Sequence, residues 1–299
     1  MMINIKKYQE QDLDEIMEMN QLVGLRIQWD NAFPADKVLV ARDEKEKLIG
    51  LGGYIFDGSW AYLDRDDSNL KNYMLKAECF IDEKCVNKEE IDKELLKALV
   101  EQFKEYKKQY PNKELILRSW STNGDMQAMQ KFLELGFAVF GATPVLAFDL
   151  TKEIPNYSIP ENITICEHSF EDGGMQRYMK ANELGYVIQD NEAEMWFMQG
   201  DESNHTFTAL NDEGEIVASA MTWRIGMDGH ATENVFTIPG YRRQNIARQT
   251  IATTLRFQKE QGAKETTLSV LGTNLPAIKT YLSMGFFVKY CLMEYRYTI

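Results

Sequence analysis

The residues best suited to chemistry lie in two windows near the end of this 299-residue chain. The first runs Val235, Phe236, Thr237, Ile238, Pro239, Gly240, Tyr241, Arg242, Arg243, Gln244, Asn245, Ile246, Ala247. It reads as a strand ending at Pro239, then a basic loop, then the start of a helix. A helix N-terminus exposes N–H groups that lack intrahelical partners and carries the positive end of the helix dipole, so it attracts phosphate. Arg242, Arg243 and Arg248 gather positive charge there. The same residues also fit a solvated basic turn, and the window alone does not separate the two readings. Glu233 precedes Val235 by two positions and Thr237 by four, so strand alternation places all three on one face. The second window runs from Asn274 to Phe286. Asn274 suits an N-cap, with Pro276 in the first turn. Ala277, Ile278, Tyr281 and Gly285 share one helical face. By itself this is a capped helix with a core tyrosine.

The elements that must position these windows occur twice. Each half opens on a short apolar-alternating run (Met2 to Tyr8; Ile163 to Glu167) and continues with a helix-like stretch (Asp12 to Met19; Glu171 to Leu184). A strand pair with a polar turn follows, Val38 to Arg42 with Leu48 to Phe56, and Thr206 to Leu210 with Ile216 to Trp223. Next come a strand and a long amphipathic helix: Leu75 to Ile81 and Glu89 to Lys108, then Ala231 to Ile238 and Asn245 to Gln261. The apolar stripe of the first helix is Ile91, Leu95, Ala98, Leu99 and Phe103; that of the second is Ile246, Ala247, Ile251 and Leu255. A fifth strand (Glu114 to Arg118; Thr266 to Leu271), a short helix ending in Gly-Phe and a closing strand complete each copy. Residues 151–161 carry two prolines and little periodicity, which predicts a linker between domains 1–150 and 162–299. The fold class is α/β, of mixed α+β type.

Composition narrows the functions. The chain holds 33 Lys and Arg against 46 Asp and Glu, a net charge of −13, which argues against nucleic acid or an anionic membrane as partner. No apolar run approaches the roughly 18 residues of a membrane span, and Met1 to Lys7 contains no signal-like apolar segment. A cytoplasmic location is the expectation. Cys79, Cys85, Cys166 and Cys291 are scattered, and His168, His205 and His230 lack ligand spacing, so neither a disulfide framework nor a metal is expected.

Taken in this order, the two windows resemble the GCN5-related N-acetyltransferase (GNAT) superfamily. The family loop, R/Q-x-x-G-x-G/A, is represented by Arg242 to Ala247, with Asn245 at the first glycine position. The later pattern N-x-x-A-x-x-x-Y-x-x-x-G-F is matched from Asn274 to Phe286. The resemblance covers 162–299 well and 1–150 in outline. It implies two tandem domains, each a mixed, mostly antiparallel sheet flanked by helices, and an acetyl-CoA-dependent N-acetyltransferase acting on a primary amine of a small molecule. It assigns the pyrophosphate to Arg242, Arg243, Gln244, Asn245, Ile246, Ala247 and Arg248. The pantetheine arm falls to the strand of Val235, Phe236 and Thr237, and Asn274 is also carried over as coenzyme-binding. Glu233 is then the general base, with His230 as substitute. A backbone N–H near Phe236 holds the oxyanion, and Tyr281 is the general acid.

The first half departs from this pattern. Aligning the loops sets Asn87-Lys88-Glu89-Glu90-Ile91-Asp92 against Arg242 to Ala247, which puts carboxylates where phosphate would sit. Aligning the Gly-Phe pairs sets Phe132 against Tyr281. A degenerate, non-catalytic copy is the expectation. A protein or peptide acetyltransferase and a non-catalytic acyl-CoA sensor are the alternative functions. No acceptor-specific motif is visible, and self-association is left open.

Overall fold

The computed structural model describes residues 2–29, 33–56, 72–185 and 203–299. The chain divides into two compact units, one formed by Met1–Gly141 with Leu292–Ile299 and the other by Ala142–Cys291.

The first unit is built on strands β1 (Asn4–Lys7), β2 (Leu39–Arg42), β3 (Leu48–Phe56), β4 (Asn72–Ile81) and β5 (Glu114–Thr122). The last part of β12 (Phe287–Thr298) completes its sheet by pairing antiparallel with β5, from Leu292↔Thr122 to Thr298↔Ile116. β4 and β5 run parallel, and the other described pairings are antiparallel. The repeat therefore predicts the strands, but the boundaries differ from 1–150 and 162–299. Residues 142–150 lie in the second unit, because β6 (Ala138–Asp149) pairs β11 (Glu265–Ser269) from Val145↔Ser269 to Asp149↔Glu265. Backbone ladders, not position in the chain, decide which unit owns a strand.

Helix α3 (Lys88–Gln109) buries Ile91, Leu95, Leu99 and Phe103, spaced four apart, against Leu75, Ala77, Leu115 and Leu117. Its charge order suits the dipole, with Glu89 and Glu90 first and Lys107 and Lys108 last. α1 (Leu13–Met19) matches the expected helix, whereas α2 (Gln21–Trp29) has no signal in the sequence pattern. It contains Gly24, and the glycine has a packing reason: a Cβ there would sit 2.4 Å from Met17 Sδ. α4 (Met126–Glu134) follows β5.

The second unit adds β7 (Thr164–Glu167), α5 (Gly174–Gly185), β8 (His205–Leu210), β9 (Ile216–Ile225), β10 (Gly229–Thr237), α6 (Ile246–Glu260) and α7 (Leu275–Met284). Its strand order is β6-β11-β10-β9-β8-β7, with only β10 and β11 parallel among the described pairs. α5 starts three residues later than the sequence suggests, because Gly173 takes a left-handed conformation and reverses the chain. α5 packs Tyr178 and Ala181 against Met221 and Phe236, while α6 packs Ile251 and Leu255 with Leu146, Phe148 and Leu268.

The predicted linker is not a free tether. Gln249 accepts from the Tyr157 N–H at 2.8 Å and donates to Asn156 at 3.0 Å. Arg256 donates to Pro155 O at 2.9 Å, and Lys259 to Lys152 O at 2.8 Å. Ile154 and Tyr157 pack on the core under α6. One face of α6 thus satisfies the carbonyls of an irregular strap that belongs to the second unit. None of the four cysteines forms a disulfide. Among the described residues no helix is long and apolar enough to cross a membrane, and no three or more His, Cys, Asp or Glu gather as a metal site.

Candidate active site

The site residues of the first window sit on an interrupted strand. β10 pairs Glu233 with Met221 and Phe236 with Ser219, three steps on one strand against two on the other. This is a β-bulge, and Asn234 takes φ 46° within it. The bulge overturns the expectation that Glu233, Val235 and Thr237 share a face. Glu233 lies on the face of Met221 and Phe236, which is covered by α5. Val235 packs with the cluster of Ile251, Leu255 and Tyr281, and Thr237 pairs with Ala218, which packs with Ile246 of α6. Period-two alternation fails where one extra residue enters the strand. The parallel register of β10 with β11 ends at Ala231↔Thr267, two residues before Glu233. The bulge therefore lies just beyond the point where the two strands part.

The basic loop ends on an uncapped helix. Asn245 occupies the N-cap of α6 at φ 61°, ψ 5°, and Arg243 is left-handed at φ 64°. Asn enters this region more readily than most residues. Its side chain makes no bond to the helix's own N–H groups. Asn245 Oδ1 instead accepts from Arg248 at 3.1 Å, and Nδ2 donates to Ser158 O at 3.4 Å. The amide is thus tied back by the strap, and the first-turn donors are left to another acceptor. Ser158 lies 87 positions away, and no local pattern marks it.

Arg242 spends two donors on backbone, Nε on Thr237 O at 3.0 Å and Nη2 on Gly185 O at 3.4 Å. It pins the loop to the last residue of α5 as well as supplying charge. Arg243, Gln244 and Asn245 are exposed, Ala247 and Arg248 are half-buried, and Ile246 is buried and anchors the turn. Thr237 Oγ1 is buried without a hydrogen-bond partner at the end of β10. Open helix donors, clustered arginines and an orphaned hydroxyl at a parted strand end suit an extended ligand with a phosphate head.

The second window folds as its residues dictate. Asn274 accepts from the Ala277 N–H at 3.3 Å and caps α7; Gly285 ends the helix at φ 102°. Tyr281 is buried beside Phe286, with ring centroids 5.6 Å apart. Burial first, and then the charge of Glu233, pushes its pKa well above the usual phenol range. Tyr281 therefore stays protonated.

His230 is not brought to this place. It is buried two residues before Thr232 on the α6 face, with Nδ1 3.3 Å from Thr222 Oγ1. Burial first, then Arg224 and His205, holds its pKa below the ordinary value. The unfolded chain takes up the proton near pH 6.5 and the folded chain only lower, so this contribution to stability is complete above about pH 6.5 and is lost as pH falls toward the folded value. Thermal melts at about pH 7.5 and about pH 5.5 are expected to show a smaller acid-induced drop for His230→Gln than for the parent. Equal drops would exclude His230 as the source.

Among the described residues, the first unit lacks each of these features. β4 keeps an unbroken register with β3 from Leu75↔Phe56 to Ile81↔Gly50. Asn87, before α3, has φ −97°. Asp92 pairs with Lys131 and Glu134 with Lys93, across a cavity of about 400 Å3 that Glu89 and Asp125 also line. Glu78 is engaged by Arg26 at 3.6 Å and by Lys76. Phe132 stacks on Tyr295 at 4.5 Å.

Residues 175–286 match the Acetyltransferase (GNAT) family. No curated protein matches the chain in sequence. Among solved structures, a GCN5-related N-acetyltransferase from Sphaerobacter thermophilus aligns over 99% of this chain and 95% of its own, at 14% identity and TM-score 0.71. A tandem GNAT protein from the clavulanic acid biosynthesis pathway aligns over 99% and 98%, at 9% identity and TM-score 0.71. A GCN5-related glucosamine N-acetyltransferase region of a fungal multi-domain β-N-acetylglucosaminidase aligns over 99% of this chain and 38% of that one, at 14% identity and TM-score 0.68. Residues 175–286, within the second unit, thus match the GNAT family, and the chain as a whole shares its fold with a tandem GNAT protein.

Proposed function

We propose that the second unit transfers an acetyl group from acetyl-CoA to a primary amine of a small molecule, by direct attack in a ternary complex. The observation that carries this reading is the uncapped N-terminus of α6, with Asn245 left-handed and tied back, directly after a bulged strand that has parted from its neighbour. The loop from Arg242 to Arg248 would receive the pyrophosphate through backbone donors and charge. Val235 and Thr237 would line the pantetheine arm as an added strand would. Asn274, which caps α7, would flank it.

A lysine-like amine has a pKa of about 10.4, so its neutral form costs about 4–5 kcal/mol at pH 7. Glu233 would take that proton, directly or through water. The nitrogen then bonds to the thioester carbon, and a bulge N–H near Phe236 would hold the oxyanion. As the C–S bond breaks, Tyr281 would protonate the leaving thiolate, and the proton that the new amide nitrogen sheds would return through water to the phenol. The first unit serves as a degenerate copy without coenzyme. Two of the structural neighbours are named for small-molecule contexts, clavulanic acid biosynthesis and glucosamine acetylation, which supports a small acceptor.

Calorimetry with CoA is expected to show one site per chain, and an amine panel with thiol detection should find an acceptor. Absence of heat would remove the enzymatic reading. Two equal sites would remove the degenerate-copy reading, and binding without thiol release from any amine would favour an acyl-CoA sensor.

A further inference from the structure

The inner face of α6 is polar where a core is expected. Thr250, Thr254 and Gln258 are fully buried at four-residue spacing. Gln258 Nε2 lies 2.7 Å from Thr222 Oγ1, 3.0 Å from Thr232 Oγ1 and 3.3 Å from Ala231 O. Thr222 Oγ1 donates to Ala231 O at 2.7 Å. Thr232 Oγ1 is 3.0 Å from Thr266 Oγ1, which donates to His230 O at 3.1 Å. Both branches end on the carbonyls of His230 and Ala231, the last two residues of β10 in register with β11.

The first unit shows that the fold does not need this network. Matching the buried helix stripes, Ile91 with Ile246, and the sheet registers places Phe103 at the position of Gln258, Tyr54 at Thr222, Ala77 at Thr232 and Leu117 at Thr266. All four are buried in one core cluster. Leu95 and Leu99 likewise replace Thr250 and Thr254. Polar groups buried in such a place are costly unless paired, and Gln258 Oε1 has no partner at all. At these four positions the first unit buries one polar group, the Tyr54 hydroxyl, which donates to Leu99 O at 2.6 Å, so the linked glutamine and threonines are particular to the unit with the open loop and the bulge.

We propose that Gln258, acting through Thr222, Thr232 and Thr266, is a positioning residue. It holds β10 at the point where it leaves β11 and so fixes the bulge and the slot for the acyl-pantetheine arm. The side chains of Gln258, Thr222 and Thr266 reach the His230 and Ala231 carbonyls at the last register positions that β10 shares with β11, and so tie β10 to α6, β9 and β11 just before the bulge. The proposal rests on the coenzyme reading above.

The test compares CoA with 3′-phosphoadenosine 5′-diphosphate, which has the phosphates but no arm, on the full chain by calorimetry. In Gln258→Met the nucleotide is expected to bind as in the parent, while the advantage of CoA over it shrinks by about tenfold or more. Turnover with an acceptor from the amine panel should fall with it. Thr232→Val, which deletes one hydroxyl of the network at equal size, should move the same ratio less, and it decides the matter if Gln258→Met does not fold. A folded variant with an unchanged ratio and unchanged turnover overturns the proposal alone. A parent protein that binds neither probe overturns the coenzyme reading, and the proposal with it.

Discussion

Tyr281→Phe is expected to lower turnover by about 10²–10⁴-fold, the range for loss of one general acid, while CoA affinity and melting temperature stay near those of the parent. The separation follows from where the side chain sits. The ring fills a core with Phe148, Phe286 and Met284, and Phe keeps that packing. The first unit already holds Phe132 at the equivalent position, buried and stacked. What is removed is a phenol that burial and Glu233 keep protonated. An ordinary tyrosine loses its proton near pH 10; this one does so higher, so an alkaline fall in rate below that pH belongs to another group. Steady-state kinetics with free-thiol detection, alongside CoA calorimetry, reads both quantities. Unchanged turnover would take Tyr281 out of the mechanism, and a parallel loss of binding and melting temperature would reassign it to the core.

Ala247→Asp should do the reverse, removing coenzyme binding without harming the fold. The first turn of α6 carries no acidic residue, whereas the equivalent of Ala247 in the first unit is Asp92. A carboxylate there favours the helix dipole by about 0.3–1 kcal/mol, so the melting temperature should hold or rise. Against a pyrophosphate, a like charge about 4 Å away at an effective dielectric near 20 is worth about 4 kcal/mol before salt screening. Affinity for CoA is expected to fall by about 10²-fold or more, and the loss should ease as salt is raised. Binding that survives with full affinity would show that phosphate does not seat on this helix. The opposite exchange, Asp92→Ala, is not expected to create a site. The first unit also lacks the bulge, the left-handed cap and the phenol among its described residues.

Features governed by neighbours along the chain are legible in the sequence itself. The stripe Ile91, Leu95, Leu99, Phe103 places α3 because helical spacing repeats within a few residues. Asn274 and Gly285 mark the ends of α7 because caps are local hydrogen-bond geometry. The doubled order of elements and the tyrosine in its capped helix follow from the same short-range rules. Other features depend on partners remote in sequence. Leu292–Ile299 closes the first unit because β5 presents an open ladder there. Glu233 changes face because one extra residue is accommodated opposite β9. The side chain of Asn245 leaves the first turn of α6 uncapped because Ser158, from a segment that reads as a linker, draws it aside. Gln258, polar by type and outside the predicted apolar stripe, is inside because Thr222, Thr232 and Ala231 O, from two strands, accept its amide. Periodicity and capping are written in adjacent residues, while strand ownership, bulges and buried polar pairing are settled only when distant backbone groups compete for the same hydrogen bonds.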